Sequence, residues 1–351
     1  MRTVGVEEEF LLVSADGSPV ALAQAAATDF DVELELKDEM LETGTTPCLS
    51  LEQLAAELRG KRRRASAAAD SVGARLAALA TSPLPVTSSV TARFRYHQIA
   101  AEYGLTAREQ LTCGCHVHVQ VADSDEGVAV LDRIGPWLPI LLALSSNSPF
   151  WQGEDSGYAS YRSQVWRRWP TAGPTEQFGS AAAYLRLVSD LVATGAALDR
   201  AMIYFDARLA ERYPTVEVRV ADVCLRAEDA VLVAVLTRAL VETCAREAAD
   251  GQPARPIRAE ILRAAGWRAA RSGLRGPLVH PASLTAVPAA TAVQALLDHV
   301  EGVLSEQSER DWVAQAWSEL LRRGCGAEEQ RTWAADGLPS VVEQAIEVTQ
   351  I

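Results

Sequence analysis

The chain has 351 residues, a formal net charge of -13, and 48% hydrophobic and 23% charged residues, which is an ordinary globular composition. The acidic balance argues against a nucleic-acid binder, because such proteins need a basic surface to displace counterions from phosphates. A phosphate-binding enzyme is not excluded, since a divalent cation can supply positive charge locally. The only two lysines are Lys37 and Lys61, and Gly60-Lys61 is followed by Arg62, which excludes a P-loop.

The cysteines and the apolar segments indicate the cellular compartment of the protein. The six cysteines show no disulfide spacing, and no secretory apolar segment opens the chain. The longest apolar stretches, residues 138–144 and 231–236, are too short to span a bilayer. The sequence therefore predicts a cytoplasmic protein with reduced thiols and no membrane partner.

Periodicity and turn residues predict the elements in chain order. A strand at Val4–Val13 is followed by turn residues at 16–19, and Ser50 with Gln53 forms a capping box that opens a helix running to about residue 80. The remaining predictions are strands at 111–121 and 215–223, helices at 125–144, Ala181–Ala193 and Ala227–Ala249, an aperiodic segment at 145–174, and a mostly helical remainder. One α+β domain over residues 1–351 is the economical interpretation.

In the first strand the carboxylates alternate with apolar residues. Glu7 and Glu9 point to one face, and Val6, Glu8 and Phe10 point to the other. Two carboxylates about 7 Å apart on one face repel each other unless a cation lies between them. Taken alone, the pattern is more typical of a solvated strand face.

The second strand places two histidines on one face. His116, His118 and Gln120 alternate with Cys115 and three valines, and neutral imidazole is a ready metal ligand. The spacing of Cys113 and Cys115 is not that of a metal site, so packing explains these cysteines better.

The third strand and a nearby turn extend the pattern. Glu217 and Arg219 share a face opposite Val216, Val218 and Val220, and Glu42 stands where another strand ends. If these strands form one sheet whose apolar face packs on helices, the polar faces combine into one floor suited to a divalent cation that carries phosphates. By contrast, residues 62–64, all arginine, predict a solvated helix face.

Several blocks together resemble glutamate–cysteine ligase family 2, whose members are often called carboxylate–amine ligases. They are residues 5–10 (GVEEEF), 113–119 (CGCHVHV), 145–151 (SSNSPFW), 157–162 (GYASYR), 215–219 (TVEVR) and 322–324 (RRG), the last leading to 330–331 (QR). The resemblance implies a glutamine-synthetase-like α+β fold: a curved, mainly antiparallel six-stranded sheet with helices outside. It also implies that ATP phosphorylates a carboxylate, classically that of L-glutamate, and that an amine, classically that of L-cysteine, attacks the acyl phosphate.

The resemblance also implies roles for individual residues. The metal ligands are Glu7, Glu9, Glu42, His116 and Glu217; the catalytic residues are Glu217 and Arg219; the nucleotide contacts are His118, Arg219 and Arg331; and the substrate contacts are Arg162, Tyr161 and Arg95. The cofactors are then ATP and Mg²⁺, with Mn²⁺ as an alternative. Many relatives have a glutamine–hydrophobic–glutamate run in the second block, so Glu39 is the alternative to Glu42.

Two other functions compete with the ligase. A metal-dependent hydrolase would use the His-x-His strand, but it would need further ligands, and only His97, His280 and His299 remain. A non-catalytic member of the fold would bind ATP without turnover. The sequence leaves the acid, the amine and the oligomeric state open, with amino-acid substrates and a homodimer as expectations.

Overall fold

The structure is a computed structural model that describes residues 2–28, 30–304 and 307–350. It is about 51% helical and 17% strand. The strands are β1 (Val4–Val13), β2 (Glu33–Leu34), β3 (Met40–Gly44), β4 (Arg75–Ala77), β5 (Gly114–Gln120), β6 (Phe150–Trp151), β7 (Glu154–Asp155), β8 (Ala207–Leu209), β9 (Thr215–Asp222), β10 (Pro277–Val279) and β11 (Ala286–Pro288). The helices are α1 (Ala23–Ala26), α2 (Leu51–Ser71), α3 (Phe94–Tyr103), α4 (Leu105–Glu109), α5 (Ser124–Ile134), α6 (Leu138–Ser145), α7 (Arg162–Trp166), α8 (Ala181–Ala193), α9 (Ala227–Ala249), α10 (Ala259–Ser272), α11 (Ala289–Val300), α12 (Gln307–Arg323), α13 (Gly326–Trp333) and α14 (Leu338–Gln350).

The main sheet has the strand order β2-β3-β1-β5-β9-β8, and each neighbouring pair is antiparallel. A seventh strand, β4, pairs with the end of β1. One face is apolar because Val4, Val6, Val117, Val119, Val216 and Val218 are all buried there. Helix α9 packs against β1 and β5 on this side, and α6 packs against β9. The opposite face of β1, β5 and β9 carries the charged side chains.

The predicted helix beginning at Ser50 does not continue to residue 80. The N-cap is confirmed, since the Ser50 side chain accepts a hydrogen bond from the Gln53 N–H, but the helix ends at Ser71. Gly73, with a φ of 76°, follows the helix in a left-handed conformation. The apolar residues beyond it form β4, because pairing with β1 outweighs their helical propensity.

The predicted helix over residues 125–144 is two helices, α5 and α6, joined by a 3₁₀ turn at Gly135–Trp137. Pro136 lies in this turn and has no backbone N–H to continue the ladder. The combined run Ser124–Ser145 is long and apolar enough to cross a membrane by length and composition, but 67% of its most apolar window is buried inside the protein. It packs against α9, α10 and β9, as a core helix does.

Arg62 is the exception to the solvated face predicted for residues 62–64. Its guanidinium is buried and donates to both carboxylate oxygens of Glu8, at 2.6 and 3.0 Å, and to the carbonyls of Cys224 and Leu225. Glu8 points to the apolar face of β1, so its charge needs a partner inside the core. Arg63 and Arg64 are exposed, as predicted.

Breaking this pair should destabilise the fold strongly. We expect Arg62→Met to lower the free energy of unfolding by about 3–5 kcal/mol, because the Glu8 carboxylate is then buried without compensation. The matched control Arg63→Met, at an exposed position on the same helix, should change it by about 0.5 kcal/mol or less. Urea unfolding followed by circular dichroism measures both. Similar losses for the two variants would contradict the structural role of the Arg62–Glu8 pair.

Candidate active site

Strand register brings the predicted residues together. In the antiparallel pairs Glu7 lies opposite His116, Glu9 opposite Glu42, and His118 opposite Glu217. A shift of one residue in any pair would turn these side chains to the apolar face. Five strands from distant parts of the chain therefore share one polar surface, because β2 adds Glu33 opposite Glu42.

A β-bulge shapes the end of this surface. Between the pairs Cys115–Ala221 and Val117–Val218, Arg219 and Val220 of β9 together lie opposite His116. Bulges of this kind re-aim side chains beside functional sites. Val220 is consequently less buried than Val216 and Val218, although the alternation alone predicts all three on the core face.

The first cluster of donor atoms consists of Glu7, His118 and Glu217, whose ligand atoms all lie within 4.8 Å of one another. The Glu7 oxygens are 3.4 Å from His116 Nδ1 and 3.3 Å from His118 Nε2. Burial by itself raises the pKa of Glu7, but the two imidazoles outweigh that effect and lower the pKa below its ordinary value. Burial and the nearby Arg219 lower the pKa of His116 to about 3, so this imidazole is neutral.

The second cluster consists of Glu9, Glu35 and Glu42, again with donor atoms within 4.8 Å of one another. Burial and the charge of Glu35 raise the pKa of Glu9 to about 7, although the Gly114 N–H donates to its carboxylate. Burial, Glu35 and the neighbouring carboxylates also raise the pKa of Glu42 well above its ordinary value. Three carboxylates this close cannot all ionise readily without a cation between them.

Two arginines flank the carboxylates. Arg208 donates to Glu217 at 2.8 Å and also to the carbonyls of Ala201 and Ile203, and Arg219 donates to the other Glu217 oxygen. Burial and the charge of Arg208 lower the pKa of Arg219 to about 10, so it remains cationic at neutral pH. Its guanidinium lies 5.7 Å from the ring centroid of Trp166. The aromatic contact and Glu217 fix this cation in place.

Two cavities meet at the clusters. One of about 350 Å³ holds both clusters and the arginines, and one of about 400 Å³ opens beside it. The residues that line both are Glu7, Glu33, Glu42, His118 and Tyr213. The first is polar and also carries an aromatic wall from Tyr96, Trp166, Trp169 and Tyr204. Carboxylates at the boundary between two cavities can bind the metal ions of a phosphate chain, with the two ends of the bound molecule in the two cavities.

The carboxylate oxygens and imidazole nitrogens of the two clusters suit a divalent cation. The Nε2 atoms of His116 and His118 are buried and make no hydrogen bond in the described structure. These nitrogens, and the Glu9 and Glu42 carboxylates with their raised pKa values, are donor atoms that a cation would satisfy. Carboxylate oxygens suit Mg²⁺ and Mn²⁺, and imidazole extends the preference toward Mn²⁺.

Some predicted residues lie outside the clusters. Arg331 pairs with Asp155 at 2.7 Å and donates to the Tyr158 carbonyl, and Tyr161 packs on Trp151 and Tyr158. Neither lines the two cavities. Arg331 and Tyr161 are therefore not brought to the site by this structure.

The other two predicted arginines lie closer. Arg95 lines the 350 Å³ cavity and pairs with Asp199. Arg162 is buried behind Arg219, 3.9 Å from Asp222, and lines a separate cavity of about 30 Å³ that Arg219 and Trp166 also line. Arg162 thus supports the wall of the site rather than facing the larger cavity.

In the second block, the structure distinguishes Glu42 from Glu39. Glu42 lines both cavities, whereas Glu39 accepts a hydrogen bond from the Ser89 N–H at 2.7 Å and lines neither. Residues that sequence reasoning missed include Glu35, Arg208 and the aromatic wall. The alternation of Val32, Leu34 and Leu36 with acidic residues was a signal for Glu35.

Comparison with known proteins shows the family of the chain. The family model described as glutamate–cysteine ligase family 2 matches residues 3–344. A putative glutamate–cysteine ligase 2-1 of Streptomyces avermitilis is 53% identical over 340 residues, covering 94% of each chain. A putative glutamate–cysteine ligase 2 of Streptomyces coelicolor is 51% identical over 361 residues, covering 100% of this chain and 99% of the relative.

Solved structures share the fold at low identity. A bifunctional glutathione synthetase from Pasteurella multocida has a TM-score of 0.71 at 16% identity, over 99% of this chain and 52% of that one. A glutamate–cysteine ligase from Francisella tularensis, in complex with AMP, has a TM-score of 0.67 at 14% identity, over 99% and 89%. The fold is the glutamine-synthetase-like α+β fold, and the protein is an ATP-dependent ligase. The chain belongs to glutamate–cysteine ligase family 2.

Cation binding should depend on pH through the second cluster. Because the cation-free pKa of Glu9 is about 7 and a cation requires the carboxylate, we expect Mn²⁺ affinity to rise roughly tenfold from pH 6 to pH 8. Glu9→Gln should bind more weakly and with a flatter pH dependence. The exposed Glu154→Gln is the control and should match the unaltered protein. Isothermal titration calorimetry measures the affinities, and a pH-independent affinity would contradict the raised pKa.

Proposed function

We propose that the protein is a glutamate–cysteine ligase that joins L-glutamate and L-cysteine at the expense of ATP. The γ-phosphoryl group of ATP passes to the side-chain carboxylate of glutamate, giving ADP and an acyl phosphate. The cysteine amine then attacks the acyl carbon, phosphate leaves, and the amine loses a proton to give γ-glutamylcysteine. A ligase of the same mechanism that joins another acid and amine is the alternative.

The observation that carries this proposal is the pair of donor clusters flanked by two fixed arginines on one sheet face. Phosphoryl transfer needs little covalent help from protein and depends on positioning and on neutralising oxygens that carry spreading charge. The names of the relatives, at up to 53% identity over nearly whole chains, support the choice of glutamate and cysteine. The zinc hydrolase loses support, because His97, His280 and His299 line neither cavity.

The two clusters would hold Mg²⁺ through Glu7, His118 and Glu217 on one side and Glu9, Glu35 and Glu42 on the other, with His116 beside the first. When bound, Mg²⁺ would neutralise the negative charge of the phosphate oxygens. Mn²⁺ offers the same ligand chemistry.

The arginines would supply positive charge where the transferred group loses its bond to ADP. Arg219 is held by Glu217 and Trp166, so its donors need no reorganisation as charge develops. Arg208 orients Glu217 and spreads the charge of that carboxylate over two guanidinium groups. Arg95, at the cavity wall, would bind an amino-acid carboxylate bidentately, and that carboxylate would compete with Asp199 for the guanidinium.

We also infer a cytoplasmic location, where ATP is supplied and thiols stay reduced. All six cysteines are buried and free, as expected there. The homodimer stays a prediction.

Trapping the acyl phosphate tests the function. With ATP, Mg²⁺ and L-glutamate, hydroxylamine should replace cysteine and yield γ-glutamyl hydroxamate, because it attacks the same acyl carbon. Arg219→Lys should lower the rate about 10²–10³-fold, since one preorganised donor to the developing charge is lost. The control Arg186→Lys, exposed on α8, should retain full activity.

The reaction products identify the acid substrate and distinguish the mechanisms. Mass spectrometry of the hydroxamate identifies the acid, and ADP release measures turnover. Hydroxamate from another acid alone would favour the alternative substrate pair. Amide formation with release of AMP and pyrophosphate would contradict the acyl-phosphate mechanism.

A further inference from the structure

A third group of metal-type ligands lies far from the two clusters of the proposed active site. Cys244, Glu247 and His299 offer a sulfur, a carboxylate oxygen and an imidazole nitrogen that all lie within 4.8 Å of one another. None of the three lines the 350 or the 400 Å³ cavity. Helix α9, which carries Cys244 and Glu247, packs on the apolar face of the sheet, so the group lies on the side away from the proposed active site.

Two helices hold the three residues in place. Cys244 and Glu247 are three positions apart on α9, which puts them on the same face of that helix. His299 comes from the last turn of α11, and α11 packs against α9. The group thus joins two segments separated by about fifty residues of chain, as structural metal sites often do.

The histidine is oriented toward the other two ligands and lacks a hydrogen bond. The His299 ring stacks on Trp137, with a centroid distance of 4.1 Å and an interplanar angle of 10°. Its Nε2 atom is buried, makes no hydrogen bond among the described residues, and lies 3.7 Å from Glu247 Oε1. A buried ring nitrogen that makes no hydrogen bond needs an explanation, and a bound ion is one.

The charges around the group leave the ligands available. Cys244 is fully buried, while the Glu247 and His299 side chains are 28% and 19% exposed, which gives an ion a path from solvent. Burial and the charge of Glu247 raise the pKa of the Cys244 thiol above its ordinary value, so the thiol keeps its proton until an ion displaces it. Arg133 is held by the carbonyls of Ala129 and Gln252. It therefore does not occupy the carboxylate of Glu247.

We propose that Cys244, Glu247 and His299 form a second metal site, for a borderline-soft divalent cation such as Zn²⁺, that ties α11 to α9. Thiolate, imidazole and carboxylate are the ligand types of zinc, and water from the open side completes the tetrahedron. On binding, the Cys244 thiol releases its proton to solvent and a sulfur–metal bond forms without redox change. A hard cation such as Mg²⁺ does not favour thiolate, so this site and the carboxylate clusters take different ions.

Cobalt is the probe, because Co²⁺ replaces Zn²⁺ and gives a thiolate charge-transfer absorption that the cysteine-free carboxylate clusters cannot give. We expect one equivalent of Co²⁺ to produce this band in the full chain and one equivalent of Zn²⁺ to abolish it. Zn²⁺ should also raise the melting temperature, because it binds only the folded chain.

Variants locate the site. His299→Phe keeps an aromatic ring against Trp137 but removes the ligand, so it should lose the band and the thermal shift while remaining folded. Glu247→Gln should weaken Co²⁺ binding at least tenfold. His97→Gln, at an exposed histidine on α3, is the control and should leave the band unchanged.

Two results would show that the three residues do not bind a metal ion. No thiolate band, or a band that persists in His299→Phe, would overturn the proposal and leave His299 as a stacked structural residue. The proposal does not rest on ligase activity, so absence of γ-glutamyl hydroxamate would not affect it.

Discussion

The repulsion among carboxylates on one face of the sheet is the constraint on which this structure depends. Glu9 and Glu42 lie directly opposite each other on paired strands, and Glu35 joins them. Like charges in such positions are destabilising, and burial together with the neighbouring carboxylates raises the pKa values of Glu9 and Glu42. The valine face, packed on helices, supplies the stability that lets the other face remain strained. A divalent cation would relieve the strain, and this is why the arrangement suits metal-bound phosphate.

Around this acidic centre, contacts with neighbouring side chains hold the arginines in fixed positions. Glu217 lies between Arg208 and Arg219, and Arg219 also contacts two aromatic rings. Behind it, the buried Asp222 accepts hydrogen bonds from the Asn147 N–H and from the hydroxyls of Ser148 and Ser160. These bonds fix the aperiodic segment that supplies Trp166. A preorganised cation interacts more strongly with developing charge than one that must first move.

Much of the polar face could be predicted, because strand alternation depends only on sequence. Val4–Val13 was predicted with its observed bounds, and Glu7, Glu9, His116, His118 and Glu217 fall on one surface as the alternation indicates. The position of Glu42 where another strand ends pointed to it, the resemblance to the family implied that it is a metal ligand, and the register placed it opposite Glu9. Family membership and fold agree with the expectation drawn from the motifs.

Other features depend on long-range contacts that no local pattern reveals. The burial of Arg62 follows from Glu8 on a strand 54 positions earlier, and the end of α2 follows from pairing between β4 and β1. The bulge at Arg219 and Val220 breaks the alternation that predicted three core valines. Glu35 directly follows β2 (Glu33–Leu34), a strand too short for a periodic signal to stand out, although the neighbouring residues do alternate.

The central claim is that the two donor clusters together bind the cations of the phosphate chain. Crystals grown with Mn²⁺ and a non-hydrolysable ATP analogue, measured at the manganese absorption edge, test it most directly. The account predicts anomalous peaks at Glu7–His118–Glu217 and at Glu9–Glu35–Glu42, with the phosphates between them. Bound analogue with manganese peaks away from both clusters would contradict it.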